Sequence, residues 1–255
     1  MTHAELRAVP ALDMHSHFNH GHPHDSTTDE RYACDLEFIL QANRLANVQI
    51  TVCSTFASVL HGPSAAEENG LLFDLCLQIP SLYQWVVIDP REPHTFEQAE
   101  EMLGKRKCLG IKLHPPLHGY STAEYGDLLF GFAEEHRAFV QIHPEAEPDI
   151  YLPFADRYPH MILDVAHLGG AGFLRAIREA KHRNIYSDTS GSASRFNHII
   201  EAACECGCSD RILYGSDTYD VGFQRGRIEY AVISEEDKLR ILRNNALGIF
   251  PQLNL

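Results

Sequence analysis

The chain has 255 residues, of which 44% are hydrophobic, enough for a sizeable core in one large domain or two small ones. A formal net charge of −14 argues against a nucleic-acid backbone or an anionic membrane as the main partner. No apolar run approaches bilayer length, Met1–Glu5 carries no apolar signal segment, and seven scattered cysteines read as reduced thiols, so a cytoplasmic protein is expected.

Eight short runs rich in apolar and β-branched residues follow one another, each with a helical stretch behind it. The first, 11–17, ends in Asp13-Met14-His15-Ser16-His17. Behind it a helix is predicted over 35–46, with Leu36, Ile39, Leu40 and Leu45 on a helical period and Asp35 as its cap. Run two, 49–54, precedes a helix over 64–77, and run three, 84–89, precedes one over 95–106. Run four, 109–114, leads to a helix over 121–136 that opens with the capping-box pattern Ser121-x-x-Glu124. Run five, 138–143, is followed by a weaker crossover at 148–158. Runs six (161–167), seven (184–188) and eight (211–217) precede helices over 172–182, 194–206 and 234–245. Near-continuous apolar strands alternating with helices indicate a parallel sheet buried on both faces. Eight such units in this length predict a single (β/α)8 TIM barrel, one α/β domain over 1–255. An open doubly wound sheet is the alternative, but no glycine-rich dinucleotide turn follows the first strand.

The polar residues collect at the C-terminal ends of these strands. His15 and His17 end strand one, Lys112 and His114 strand four, His143 strand five, His167 strand six, Asp188 strand seven and Asp217 strand eight. In a barrel these ends surround one mouth, where active sites are built. His15 and His17 share strand parity, so both imidazoles can point at one spot and suit a divalent metal. With 16 histidines in the chain, one His-x-His pair carries little by itself. Four strands that end in histidine, together with two that end in aspartate, carry much more. Asp13 lies lower on its strand and is expected to support the ligands or bond to backbone. Asp164 reads equally as a buried hydrogen-bonded carboxylate or a catalytic one. The loop Phe18-Asn19-His20-Gly21-His22-Pro23-His24-Asp25 reads as a polar loop near the mouth or as a binding loop. Cys204-Glu205-Cys206-Gly207-Cys208 lacks zinc-knuckle spacing and reads as the capped end of a helix.

Asp13-x-His15-x-His17, His143, His167-Leu168-Gly169-Gly170, Gly110-Ile111-Lys112-Leu113-His114-Pro115 and Leu213-Tyr214-Gly215-Ser216-Asp217 together resemble the amidohydrolase superfamily, in its amidohydrolase-related branch. The segment 241–250 is similar to the final helix of such enzymes. The resemblance implies that His15, His17 and Asp217 hold a first metal, with Asp217 contacting the attacking water. It further implies that His143 completes a mononuclear site while His167 orients water or substrate, or that both hold a second metal bridged from strand four. Lys112 stands near that bridging position, open between a carbamate, a cation for a substrate carboxylate and a structural ammonium. The implied cofactor is a divalent metal, Zn²⁺ or Mn²⁺, one or two per chain. Metal-activated water, with Asp217 as general base, then cleaves an amide, ester or lactone bond in a small molecule. His114, Asp188 and Arg195 are the candidate substrate contacts. The same scaffold admits a mononuclear decarboxylase of a carboxylated substrate. A TatD-like nuclease would need Glu where Lys112-Leu113-His114 stands, and a metal-binding sensor would not need Asp217. A homo-oligomer is compatible with the sequence.

Overall fold

A computed structural model describes residues 2–19, 35–60, 65–191, 194, 197–218 and 221–254. Eight parallel strands run in sequential order: β1 Ala11–Phe18, β2 Val48–Thr55, β3 Leu82–Val87, β4 Cys108–Leu113, β5 Phe139–Ile142, β6 Ile162–Val165, β7 Ile185–Asp188 and β8 Ile212–Leu213. They form a nearly closed barrel with helices between them, the (β/α)8 fold read from the sequence. The seam is closed by the Met14 N–H donating to the Tyr214 carbonyl at 2.9 Å and the Ser216 N–H donating to the His15 carbonyl at 3.1 Å. Among the described residues no helix is long and apolar enough to cross a membrane.

The helices follow the predicted order with shifted ends. Asp35 caps Leu36–Leu45 by accepting from the Phe38 N–H at 2.7 Å, and Ser121 and Ser234 cap Thr122–Glu135 and Glu235–Leu239 in the same way. The weak crossover is a 3₁₀ turn, Pro148–Tyr151, continued by Leu152–Arg157. The helix predicted over 194–206 begins only at Ile199. It ends in a glycine cap: Gly207 has φ +75°, its N–H reaches the Cys204 carbonyl, and the Cys208 N–H reaches that of Ala203. Four short helices were not predicted from the sequence: His3–Ala8, Phe56–Leu60, Pro115–His118 and Val221–Glu229.

The barrel interior is stratified. At its N-terminal end Leu12, Met14, Ile50, Val52, Trp85, Phe139 and Leu213 form an apolar plug, closed from below by Phe250 and Leu253. The Trp85 and Phe139 rings stack at 4.9 Å. Gly110 lies against both residues, where a Cβ would meet the Phe139 carbonyl oxygen at 2.3 Å and the Trp85 ring at 3.0 Å. Outward-facing Val86, Ile111, Val140, Leu163 and Val165 pack the sheet against the helices in a second apolar layer. Because the opposing atom at Gly110 is backbone, Gly110→Ala is expected to cost roughly 1–3 kcal/mol through overpacking. An unchanged thermal unfolding midpoint would show that the plug yields there.

Candidate metal centre

The first two histidines owe their aim to an irregularity in β1. Its register against β2 slips between Asp13 and Ser16, so one residue is inserted there. The bulge turns the Met14 carbonyl into the barrel, where Trp85 Nε1 and Gln141 Nε2 each donate to it at 2.8 Å. Leu12 and Met14 therefore join the plug, while His15 and His17 face the mouth. Each imidazole has its Nδ1 committed. His15 Nδ1 lies 2.8 Å from Asp188 Oδ2. His17 Nδ1 lies 3.2 Å from the Ser54 carbonyl and 3.0 Å from its hydroxyl. A proton on Nδ1 satisfies both acceptors and leaves Nε2 of each ring with its lone pair.

The third donor arrives from β8. The strand stops at Leu213, and Tyr214–Thr218 curl back over β1. The Asp13 carboxylate accepts from the Ser216 N–H at 3.0 Å, the Ser216 hydroxyl at 2.5 Å and the His15 N–H at 3.2 Å. The His15 carbonyl accepts from the Asp217 N–H at 2.8 Å. The Thr218 hydroxyl accepts from the His17 N–H and donates to the His17 carbonyl. These bonds hold Asp217 and Thr218 at φ +53° and +72°, left-handed backbone that is costly for residues with a Cβ.

The result is a convergent set. His15 Nε2 and His17 Nε2 lie 3.2 Å apart, and Asp217 Oδ1 is 3.7 and 3.6 Å from them. Two imidazole nitrogens on a tetrahedral zinc ion would be about 3.3 Å apart, given Zn–N near 2.0–2.1 Å. The donor set fits a divalent cation: two imidazole lone pairs and a carboxylate oxygen lie close enough together to share one ion.

A second group stands behind the first. His15, His167 and Asp188 also offer three atoms within 4.8 Å of one another. Here, however, His15 Nδ1 and Asp188 are already joined by a hydrogen bond. Burial alone would raise the Asp188 carboxyl, but the His15 and His167 imidazoles and the Ser190 hydroxyl outweigh it and hold it well below the carboxylate range. The Ser190 hydroxyl touches Asp188 Oδ1, lies 2.9 Å from His15 Nδ1 and 2.8 Å from His167 Nδ1. His167 Nε2 lies 3.0 Å from His143 Nδ1, and His143 stacks on His114 at 4.2 Å. Asp188 thus sits buried behind His15 rather than on the cavity wall.

Lys112, Gln141 and Asp164 share one level, in register across β4, β5 and β6. Lys112 is fully buried, with Nζ 2.9 Å from His15 Nε2 and 3.0 Å from Gln141 Oε1. Burial pulls its ammonium down to about 8 despite the field of Asp188, Asp217 and Asp164. Gln141 donates to Asp164 Oδ2 at 3.1 Å, and burial next to Asp188 pushes the Asp164 carboxyl well above its ordinary range. Lys112 lies beneath the site, not on the wall of its cavity.

That cavity, about 180 Å³, is lined among the described residues by His17, Phe56, Val59, Leu60, His114, Leu117, His143, His167 and Asp217. Three sequence candidates for metal ligation, His15, His17 and Asp217, converge on one point. His143 and His167 share the cavity but bond to each other. Arg195 and the loop residues His20–Asp25 lie outside the described residues. Gln141, Ser190, Ser54 and Thr218 were not read as site residues. Gln141 had a signal, sharing strand parity with His143.

The amidohydrolase family model, described as "Amidohydrolase", matches residues 12–252, and the chain belongs to that family. It is an enzyme fold of a superfamily whose members bind divalent metals. No curated protein matches the chain. Among solved structures it is similar to 5-carboxyvanillate decarboxylase from Novosphingobium aromaticivorans complexed with manganese, at 14% identity and TM-score 0.76, covering 98% of this chain and 99% of that one. It is also similar to 2,6-dihydroxybenzoate decarboxylase from Rhizobium (17%, 0.71, 95% and 99%). A third is a probable 2-pyrone-4,6-dicarboxylic acid hydrolase from Acinetobacter baumannii (17%, 0.69, 95% and 100%). At these identities the likeness is one of fold.

Burial holds His17, His114 and His167 below the ordinary imidazole range and brings His143 down to about 2. All four are neutral when folded, whereas the unfolded chain protonates them below about 6.5. Asp13, pushed up to about 7 by burial, and Asp164 work in the opposite sense, keeping protons that the unfolded chain releases above about 4. Four groups against two leave the unfolded chain binding more protons. The metal-free protein is therefore expected to lose thermal stability from about pH 7 to about pH 5. A midpoint that rises over that interval contradicts the neutral imidazole cluster.

Proposed function

We propose that the chain is a hydrolase that cleaves an amide, ester or lactone bond in a small molecule, using one divalent cation held by His15, His17 and Asp217. The supporting observation is the convergence of these three donors at the barrel mouth, with the Nδ1 of both imidazoles tied elsewhere. Zn²⁺ suits the nitrogen and oxygen donors, and Mn²⁺ is the alternative. A divalent cation supplies hydroxide at neutral pH and polarises the scissile carbonyl.

The protein's own groups do the rest. Asp217 lines the cavity beside both imidazoles, so it takes the proton of the attacking water and delivers it to the leaving group. His143 stands on the same wall with Nδ1 committed to His167, which leaves its Nε2 as a further donor. Phe56, Val59, Leu60 and Leu117 exclude water and hold the apolar part of the substrate. His114, packed flat on His143, lines the cavity next to it.

Protein refilled with Zn²⁺ or Mn²⁺ is expected to bind about one ion per chain by elemental analysis and to hydrolyse members of an amide, ester and lactone panel. His15→Ala should lose the ion. Asp217→Asn should lower kcat by roughly 10²–10⁴, the range of a general base. A refilled wild-type protein without metal would sink the reading. Release of CO₂ from aromatic carboxylates, with no hydrolysis, would assign decarboxylation instead.

A further inference from the structure

Ser190 carries no role in the hydrolytic scheme, yet its hydroxyl is fully buried and touches three ionisable groups of the site. We propose that Asp188 and Ser190 form a positioning relay that sets which nitrogen carries the proton in His15, His167 and His143. The proton count follows from the contacts. An ionised carboxylate only accepts. Asp188 accepts from the Ser190 N–H at 2.8 Å, the His167 N–H at 3.4 Å and His15 Nδ1 at 2.8 Å, and its closest neighbour is the Ser190 hydroxyl.

A serine hydroxyl has one proton, and here it goes to Asp188 Oδ1. Towards His167 the oxygen then has only lone pairs to offer, so the contact at 2.8 Å requires a proton on His167 Nδ1. His167 Nε2 is left bare and accepts from His143 Nδ1 at 3.0 Å. His143 in turn keeps a bare Nε2. His15, donating from Nδ1 to Asp188, keeps a bare Nε2 as well. One carboxylate thereby orders three imidazoles, one on β1 and two just beyond the ends of β5 and β6.

The backbone is shaped around this chain of bonds. His167 has φ +67° and Gly191 φ +72°. A Cβ on Gly191 would come within 2.6 Å of His167 Nδ1, so only glycine lets the ring reach Ser190. The Leu168 N–H donates to the Asp188 carbonyl at 2.9 Å and locks the two strand ends together.

The proton placement stands on these contacts alone; its consequence for cation binding rests on the metal reading of the site. The test is a long-range ¹H–¹⁵N correlation spectrum of the metal-free protein, which distinguishes Nδ1–H from Nε2–H imidazoles. His15, His167 and His143 are expected to be Nδ1–H. In Ser190→Ala, His15 should keep its tautomer through Asp188, while His167 and His143 lose theirs; a merely structural serine would lower the unfolding midpoint and leave the tautomers unchanged. By calorimetric titration with Zn²⁺, Asp188→Asn should weaken binding by about 10–100-fold, the usual cost of removing a partner behind a ligand. An Nε2–H signature for His167 in the wild-type protein, or three unaltered tautomers in Ser190→Ala, overturns the relay. If Ser190→Ala fails to fold, the wild-type spectrum alone decides. Correct tautomers in a protein that binds no Zn²⁺ would overturn the metal reading and leave the relay standing.

Discussion

The site depends on how the barrel closes. Between β8 and β1 the regular ladder gives way to a few bonds centred on Asp13 and the His15 carbonyl. Asp13 holds Ser216, and the His15 carbonyl holds Ser216 and Asp217. The same few residues therefore close the sheet and place a carboxylate opposite two imidazoles. Strain at Asp217 and Thr218 accompanies this arrangement, with two consecutive side-chain-bearing residues in left-handed backbone.

Above the aromatic plug, the barrel interior changes character by level. Trp85, Phe139 and Phe250 fill the base, Lys112, Gln141 and Asp164 occupy the middle, and the imidazoles ring the top. The middle level is a buried polar network joined through Gln141, which links the Met14 carbonyl, Lys112 and Asp164. The buried Lys112 ammonium adds to burial in favouring the neutral, ligand-competent form of His17. Desolvation is the largest cause at His17, His143 and His167. His17 is thus kept unprotonated by burial first and by neighbouring charge second.

Much of this was legible in the sequence, because a parallel barrel displays its site at strand ends and its strands as apolar runs. The bulge was not legible. Alternation along Asp13, His15 and His17 predicts one face, whereas the inserted residue sends the Asp13 carboxylate to Ser216 and leaves only the histidines together. The helix Val221–Glu229 left no trace because three of its five buried residues, Gln224, Arg225 and Glu229, are polar and break the apolar period. Ser190 was missed for a related reason. In the small polar run Ser187–Gly191 nothing marks one hydroxyl over another until the His167 ring is seen against it. Lys112 was seen, but its position beneath His15 comes only from the register of β4 against β5.

The central claim is that His15, His17 and Asp217 present nitrogen and oxygen donors to a single cation. X-ray absorption at the zinc edge of the refilled protein tests it most directly. The account predicts a shell of nitrogen and oxygen at about 2.0–2.1 Å with imidazole scattering from at least two rings. A shell containing sulfur at about 2.3 Å, as the Cys204–Cys208 segment would supply, contradicts it.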